Sequence, residues 1–219
     1  MSLSYDMIPA FTKANRYLFD PSAYAWNLPS GWTCPSAEAC LSKADRVTGT
    51  ITHGPKQKFR CYSAMTERYP SVRKRLWCNF DAVKGKTPEE VADVLECLPK
   101  KARLVRTHAA GDFFSQAYFD GWLLFASRHP NVHFWAFTKS VSFWVNRLKE
   151  IPSNFELQAS VGGKQDALIK QHNLKYAQVV WSEEEAHGLG LEIDTNDYLA
   201  AYGKDPFALL ENFTKQKAR

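Results

Sequence analysis

Three cysteines, Cys34, Cys40 and Cys61, carry the most specific chemistry in this sequence, separated by five and then twenty residues. Thiolates are soft ligands, and three of them in one irregular segment point to a bound metal. An iron–sulfur cluster held by three cysteines keeps one iron without a protein ligand, and that open position can take a substrate or another small molecule. Zinc is the alternative, because His53 falls between Cys40 and Cys61 and would complete a Cys3His tetrahedron, although the spacing matches no common zinc motif. Three ordinary buried thiols are the third reading. Cys78 and Cys97 occupy apolar positions of expected helices and read as small core residues, with Cys78 the first candidate for a fourth ligand. Five cysteines, an odd number in a chain of 219 residues, fit a reducing compartment better than a disulfide framework. Met1 to Ala10 shows neither a basic n-region nor an apolar h-region, so the expected location is the cytoplasm.

A second set of candidates lies at the ends of expected strands. His108 closes one strand, and Asp112 follows after two alanines and a glycine. The imidazole could serve as acid, base or hydrogen-bond donor, and the carboxylate could accept from a ribose hydroxyl or an amino group. The plainer reading is a satisfied core histidine and a helix-start aspartate. Ser160-Val161-Gly162-Gly163-Lys164 is a glycine turn running into a helix, where backbone N–H groups and Lys164 can hold a phosphate or carboxylate; an ordinary tight turn explains it equally. Lys139 stands one residue beyond its strand, as an anion contact or a surface charge. Between Lys56 and Trp77, Lys58, Arg60, Arg68 and Arg73 interleave with Phe59, Tyr62 and Tyr69, a mixture able to track a nucleic-acid backbone and stack bases. A solvated helix face over an aromatic core has the same composition, and a net charge of +5 permits anionic partners without demanding them.

The elements that must position these residues are legible from periodicity. Hydrophobic content of 45% in 219 residues supports one α/β domain over residues 1–219, and no apolar run is long enough for a membrane helix. Residues 29–61 form the cysteine loop, dense in turn residues, after a first strand at Ala23–Leu28. Helices are expected over Cys61–Phe80 and, behind the Thr87-Pro88-Glu89-Glu90 start signal, to about Leu98. The βα core, residues 100–182, alternates strands at Arg103–His108, Val132–Thr138, Phe155–Val161 and Tyr176–Ser182 with helices at Ser115–Arg128, Ser140–Glu150 and Lys164–His172. That alternation predicts right-handed crossovers, a mainly parallel sheet and an open sheet or partial (β/α) barrel. Two C-terminal helices are expected within residues 194–216. Strand periodicity puts Arg106, His108, Thr138, Glu156, Gln158, Ser160, Gln178 and Ser182 on one polar face, as a ligand-lined interior would require.

Five blocks in order, Leu28-Pro29-Ser30-Gly31-Trp32-Thr33-Cys34-Pro35, Cys61-Tyr62-Ser63, Arg106 to Phe114, Phe137-Thr138-Lys139-Ser140 and Ser160 to Lys164, resemble the bacteriophage gene product 88 family. The resemblance runs from about Leu28 to Ser182 and implies a phage origin and a shared site. The cysteine loop is also distantly similar to that of radical S-adenosylmethionine (SAM) enzymes, in which three cysteines after the first strand of a partial (β/α) barrel hold a [4Fe–4S] cluster. The position agrees; the spacing differs, with five and twenty intervening residues in place of three and two, and with the aromatic Tyr62 after Cys61 rather than before it. The resemblance implies a [4Fe–4S] cluster on Cys34, Cys40 and Cys61, an open iron for SAM or another small ligand, and a ligand site built from His108, Asp112, Lys139, Ser160, Gly162, Gly163 and Lys164. A non-catalytic cluster or zinc protein that binds nucleic acid or a host protein is the competing expectation, and the sequence leaves oligomeric state open.

Overall fold

In the computed structural model, which describes residues 7–211, strands and helices alternate from the middle of the chain onward. The irregular first part holds β1 (Thr12–Lys13), β2 (Tyr24–Trp26) and a hairpin of β3 (Ser42–Ala44) and β4 (Ile51–His53). Helices α1 (Tyr62–Thr66), α2 (Pro70–Val83) and α3 (Pro88–Leu95) follow. The core then runs β5 (Leu104–Thr107), α4 (Gln116–Arg128), β6 (His133–Thr138), α5 (Val141–Val145), β7 (Phe155–Ser160), α6 (Asp166–Gln171) and β8 (Tyr176–Val180). It closes with α7 (Glu183–Gly188), β9 (Glu192–Ile193), α8 (Tyr198–Tyr202) and β10 (Phe207–Leu210).

Local chemistry accounts for the helix starts. The Thr87 hydroxyl accepts from the Glu90 N–H while the Glu90 carboxylate accepts from the Thr87 N–H, a reciprocal box that satisfies two otherwise orphaned donors ahead of Pro88. Thr87→Ala should therefore lower stability by about 1 kcal/mol, seen as a lower urea midpoint at unchanged slope. Ser115 and Ser182 cap α4 and α7 in the same way, each accepting from the N–H three residues on.

Eight strands form one open, mainly parallel sheet in the order β1-β2-β5-β6-β7-β8-β10-β9, in which β1 alone pairs antiparallel. From β2 to β8 each strand lies beside the next strand of the sheet without a reversal, so the loops leaving their carboxyl ends gather along one rim. One face, carrying Val105, Phe134, Leu157 and Ala159, packs in the main aromatic cluster around Trp122, which is fully buried among Phe11, His108, Tyr118, Phe125, Phe134 and Phe155. The other face, with Trp135, Phe137, Ala177 and Phe207, meets α8 and the Leu18–Phe19 segment.

Several expectations are corrected. The second closing helix is absent from its first half: Phe207–Leu210 is a strand inserted between β8 and β9, and residues 212–216 lie outside the described residues. A four-residue apolar run has no resolvable period, and pairing on both edges decides its state. The first closing helix shrinks to α8, the helix expected from Cys61 breaks into α1 and α2 before Pro70, and α5 ends near Val145. The hairpin, β1, β9 and α7 had no clear periodic signal. The polar face is only partly assembled. Strand pairing aligns Arg106, Trp135 and Glu156, and Phe137 with Gln158, so Thr138 points to the helix-covered side, as does Gln178 beside Ala208. A slip of one residue in a strand reverses its faces, and β6 and β8 are read one residue out. Ser182 caps α7 instead.

Candidate functional site

A cavity of about 450 Å³ opens at the carboxyl ends of β2, β5, β6, β7, β8 and β10, and Cys34, Cys40 and Cys61 all lie on its wall. Loops at this rim are where parallel α/β sheets build their sites. Two arms of the cysteine loop reach it separately.

The Cys34–Cys40 arm is stitched to the turn after β7. The Ala39 N–H donates to the Gly162 carbonyl at 2.9 Å, the Lys164 N–H to the Ser36 carbonyl at 2.8 Å, and Lys164 Nζ to the Pro35 carbonyl at 2.8 Å. Such close backbone approach needs glycine: Gly162 has φ +96°, and a Cβ there would sit 2.9 Å from Ala39 Cβ. The N–H groups of Gly162 and Gly163 donate to the Asp166 carboxylate at 2.8 and 2.9 Å. The anion cradle expected at Gly162, Gly163 and Lys164 is thus filled by the chain's own carboxylate, and the three residues brace the cysteine arm.

The second arm brings Cys61 to the start of α1. Its Sγ lies 3.2 Å from Ser63 Oγ, which lies 2.9 Å from Ser30 Oγ. The Ser30 N–H donates to Glu67 Oε1 at 2.7 Å, while Oε2 of this fully buried carboxyl has no partner. Burial accordingly pushes the Glu67 carboxyl up. Arg73, also buried, donates to the carbonyls of Arg46, Val47, Glu67 and Arg68 and ties the hairpin turn to the α1–α2 junction. One member of the basic and aromatic segment is therefore structural, whereas Lys58, Arg60, Arg68, Tyr62 and Tyr69 are exposed.

Each cysteine has its own electrostatic neighbour. The Gly31 N–H points at Cys34 Sγ from 3.3 Å, although burial still raises the Cys34 thiol well above its ordinary range. Burial raises Cys40 too, opposed chiefly by the Lys139 charge. Cys61 has the Ser63 hydroxyl. Lys139 is buried, with Nζ donating to the Ser160 carbonyl, Ser160 Oγ and the Val161 carbonyl.

His108 and Asp112 are placed differently from the expectation of an acid–base pair. His108 has φ 67°, a backbone twist that takes its ring out of strand alternation and into the aromatic core against Phe113, Tyr118 and Trp122. Its Nε2 lies 2.9 Å from the Tyr118 hydroxyl, Nδ1 has no partner, and burial holds the imidazole down at about 3. It stays neutral at physiological pH. Asp112 accepts from the Thr138 hydroxyl at 2.6 Å and the backbone N–H groups of Phe113 and Lys139 at 2.7 and 2.8 Å. These bonds clamp the β5 loop to the end of β6, and burial nevertheless lifts the carboxyl to about 6.

Among the described residues, no three His, Cys, Asp or Glu side chains converge closely enough to hold a single metal ion. A tetrahedral zinc with Zn–S near 2.3 Å needs sulfurs roughly 3.8 Å apart. His53 is exposed on β4, with Nδ1 3.1 Å from Ser42 Oγ, and does not line the cavity, so the Cys3His set is not assembled. Cys78 lies on α2, donating to the Met7 carbonyl, and Cys97 is exposed; neither lines the cavity, and neither is the core residue its helix pattern predicted. Ser30, Ser63 and Glu67 were missed by sequence reasoning. The two serines were legible as hydroxyls flanking cysteines, but nothing in the sequence singled out Glu67.

The chain is thus a mixed α/β protein with a thiol-lined cavity at the carboxyl rim of a mainly parallel sheet. It belongs to the gene product 88 family, whose sequence profile matches residues 9–219. No curated protein and no solved structure matches it. No helix among the described residues is long and apolar enough to cross a membrane.

Proposed function

We propose that this chain is a phage-encoded iron–sulfur protein whose Cys34, Cys40 and Cys61 hold a [4Fe–4S] cluster, with an open iron that takes SAM or another small molecule in the same cavity. The observation that carries the reading is the placement of three thiols, delivered by two separately anchored arms, along the lining of one chamber that a buried lysine also lines. Thiols spread around a chamber suit a polynuclear group better than a single ion. The unreversed strand order from β2 to β8, with the cysteine loop after β2, supports a radical-SAM-like partial barrel as the underlying architecture.

When bound, the cluster would supply electron transfer and a Lewis-acidic iron. The chain's own groups do the rest. The Gly31 N–H and the Ser63 hydroxyl stabilise negative charge on Cys34 and Cys61. The Asp112 clamp fixes the β5 and β6 loops that complete the wall, and the half-buried Arg106 with Asp197, 2.8 Å apart, closes another part of the lining. His108, enclosed in the core beside that wall, stays uncharged at neutral pH.

Electron paramagnetic resonance of the anaerobically prepared, dithionite-reduced protein, with and without SAM, tests this reading. A [4Fe–4S] signal that changes on adding SAM is expected. A signal indifferent to SAM would restrict the cavity to another ligand, and zinc or no metal in the same sample would overturn the proposal.

A further inference from the structure

Lys139 is 7% exposed, yet its ammonium has no carboxylate within 4.0 Å among the described residues. Its hydrogen bonds go to three neutral oxygens, the Ser160 carbonyl at 3.1 Å, Ser160 Oγ at 2.5 Å and the Val161 carbonyl at 3.0 Å. Asp112, the acid on the same cavity wall, spends its oxygens on Thr138, Phe113 and the Lys139 backbone. Asp112 acts on this charge from a distance without pairing with it, and a buried ammonium held directly only by neutral oxygens costs several kcal/mol, a cost that a second anion in the cavity would offset. With its three protons committed, this ammonium acts on the cavity through its charge rather than as a donor to a ligand. The charge shares the cavity with the three cysteines and is the largest influence opposing the effect of burial on Cys40, whereas Asp112 acts on Cys34 and Cys40 in the other direction.

We propose that Lys139 is the counter-charge for the anionic assembly held by Cys34, Cys40 and Cys61, a positioning residue that raises the reduction potential of that assembly. The inference rests on the cluster reading and assigns the lysine a role distinct from ligand contact. A cluster on three thiolates is anionic and gains a further negative charge on reduction, so a fixed cation in a poorly solvated wall favours the reduced state more than the oxidised one. The Ser160 carbonyl and hydroxyl hold the ammonium in place, which gives the glycine turn after β7 a second task beside bracing the cysteine arm.

Redox titration of the anaerobically reconstituted full chain, followed by paramagnetic resonance, provides the test. Lys139→Met should shift the ratio of reduced to oxidised cluster at a given potential at least tenfold toward oxidised, about 59 mV for one electron. Lys139→Arg, which keeps the charge, should stay within about threefold of the wild type on the same scale. Should Lys139→Met fail to fold, Lys139→Gln carries the same expectation. A neutral variant that holds the cluster at the wild-type potential overturns the proposal and leaves the cluster reading standing. A folded Lys139→Arg variant without cluster also overturns it, because the geometry of the ammonium and not its charge would then be needed. A wild-type chain that takes up no iron or sulfide removes the cluster reading and this inference together.

Discussion

Replacing Cys34, Cys40 or Cys61 singly with alanine is expected to reduce bound iron and sulfide to near background, while Cys78→Ala and Cys97→Ala retain wild-type content. Fe–S clusters are held through their cysteine thiolates, and only these three cysteines line the cavity among the described residues. Cys78 spends its thiol on the Met7 carbonyl along α2, and Cys97 is exposed beyond the end of α3. Iron and acid-labile sulfide analysis of anaerobically reconstituted variants reads the result directly. Cys40→Ala is the most informative, because its arm is anchored by backbone bonds to Gly162 and Lys164 that do not involve the thiol, so circular dichroism should be unchanged. A Cys40→Ala variant with full iron and sulfide content would sink the ligand assignment.

Acidification should cost the wild-type protein about 3 kcal/mol more than His108→Asn between pH 7.5 and 4.5, at roughly 1.4 kcal/mol per pH unit. The sign follows from two buried groups shifted in opposite directions. Burial holds folded His108 down at about 3 against an ordinary value of 6.5. As pH falls below 6.5 the unfolded imidazole takes a proton that the folded one refuses, so the stability His108 contributes above that pH is lost. Burial lifts folded Asp112 from 3.8 to about 6. As pH falls through 6 the folded carboxyl takes a proton that the unfolded one does not yet take, so stability is gained until about 3.8. Near pH 5 the two slopes are opposite and close to one proton each, and they mask one another. Asparagine tolerates the left-handed backbone at position 108, where φ is 67°, and removes one side of the balance. Urea unfolding of both proteins at the two pH values measures the difference; parallel losses would show that the imidazole is not held neutral in the fold.

What could be read in the sequence followed strength of periodicity. β5, β6, β7 and β8 begin and end within two residues of their expected bounds, because each is a run of alternating or apolar residues flanked by turn signals. α3 starts where Thr87-Pro88 places it. β10 was illegible because Phe207-Ala208-Leu209-Leu210 is too short to show a period and follows an Asp-Pro pair that also starts helices. At the site, the cysteines were legible from residue type and spacing, and all three line one cavity. The roles of their neighbours were not. Glycine and lysine at positions 162 to 164 suggest an anion cradle until Asp166, one turn onward, is seen to fill it. His108 looked available because strand alternation was carried one residue past Thr107, where a positive φ ends it.

The stitch between the cysteine arm and the turn after β7 also sets an order of events in time. Lys164 and Pro35 are 129 residues apart, so a growing chain displays Cys34, Cys40 and Cys61 long before the segment that braces them has been made. Until then the Cys34–Cys40 arm lacks the bonds to Gly162 and Lys164 that brace it. Non-local contacts of this length form late and slowly, and the chamber takes its final shape only after β7 has joined the sheet and its turn has gripped residues 35–39. Any group held by the three thiols would therefore be locked in at the close of folding rather than at its start, and loading of the proposed cluster would compete with oxidation of exposed cysteines throughout that interval.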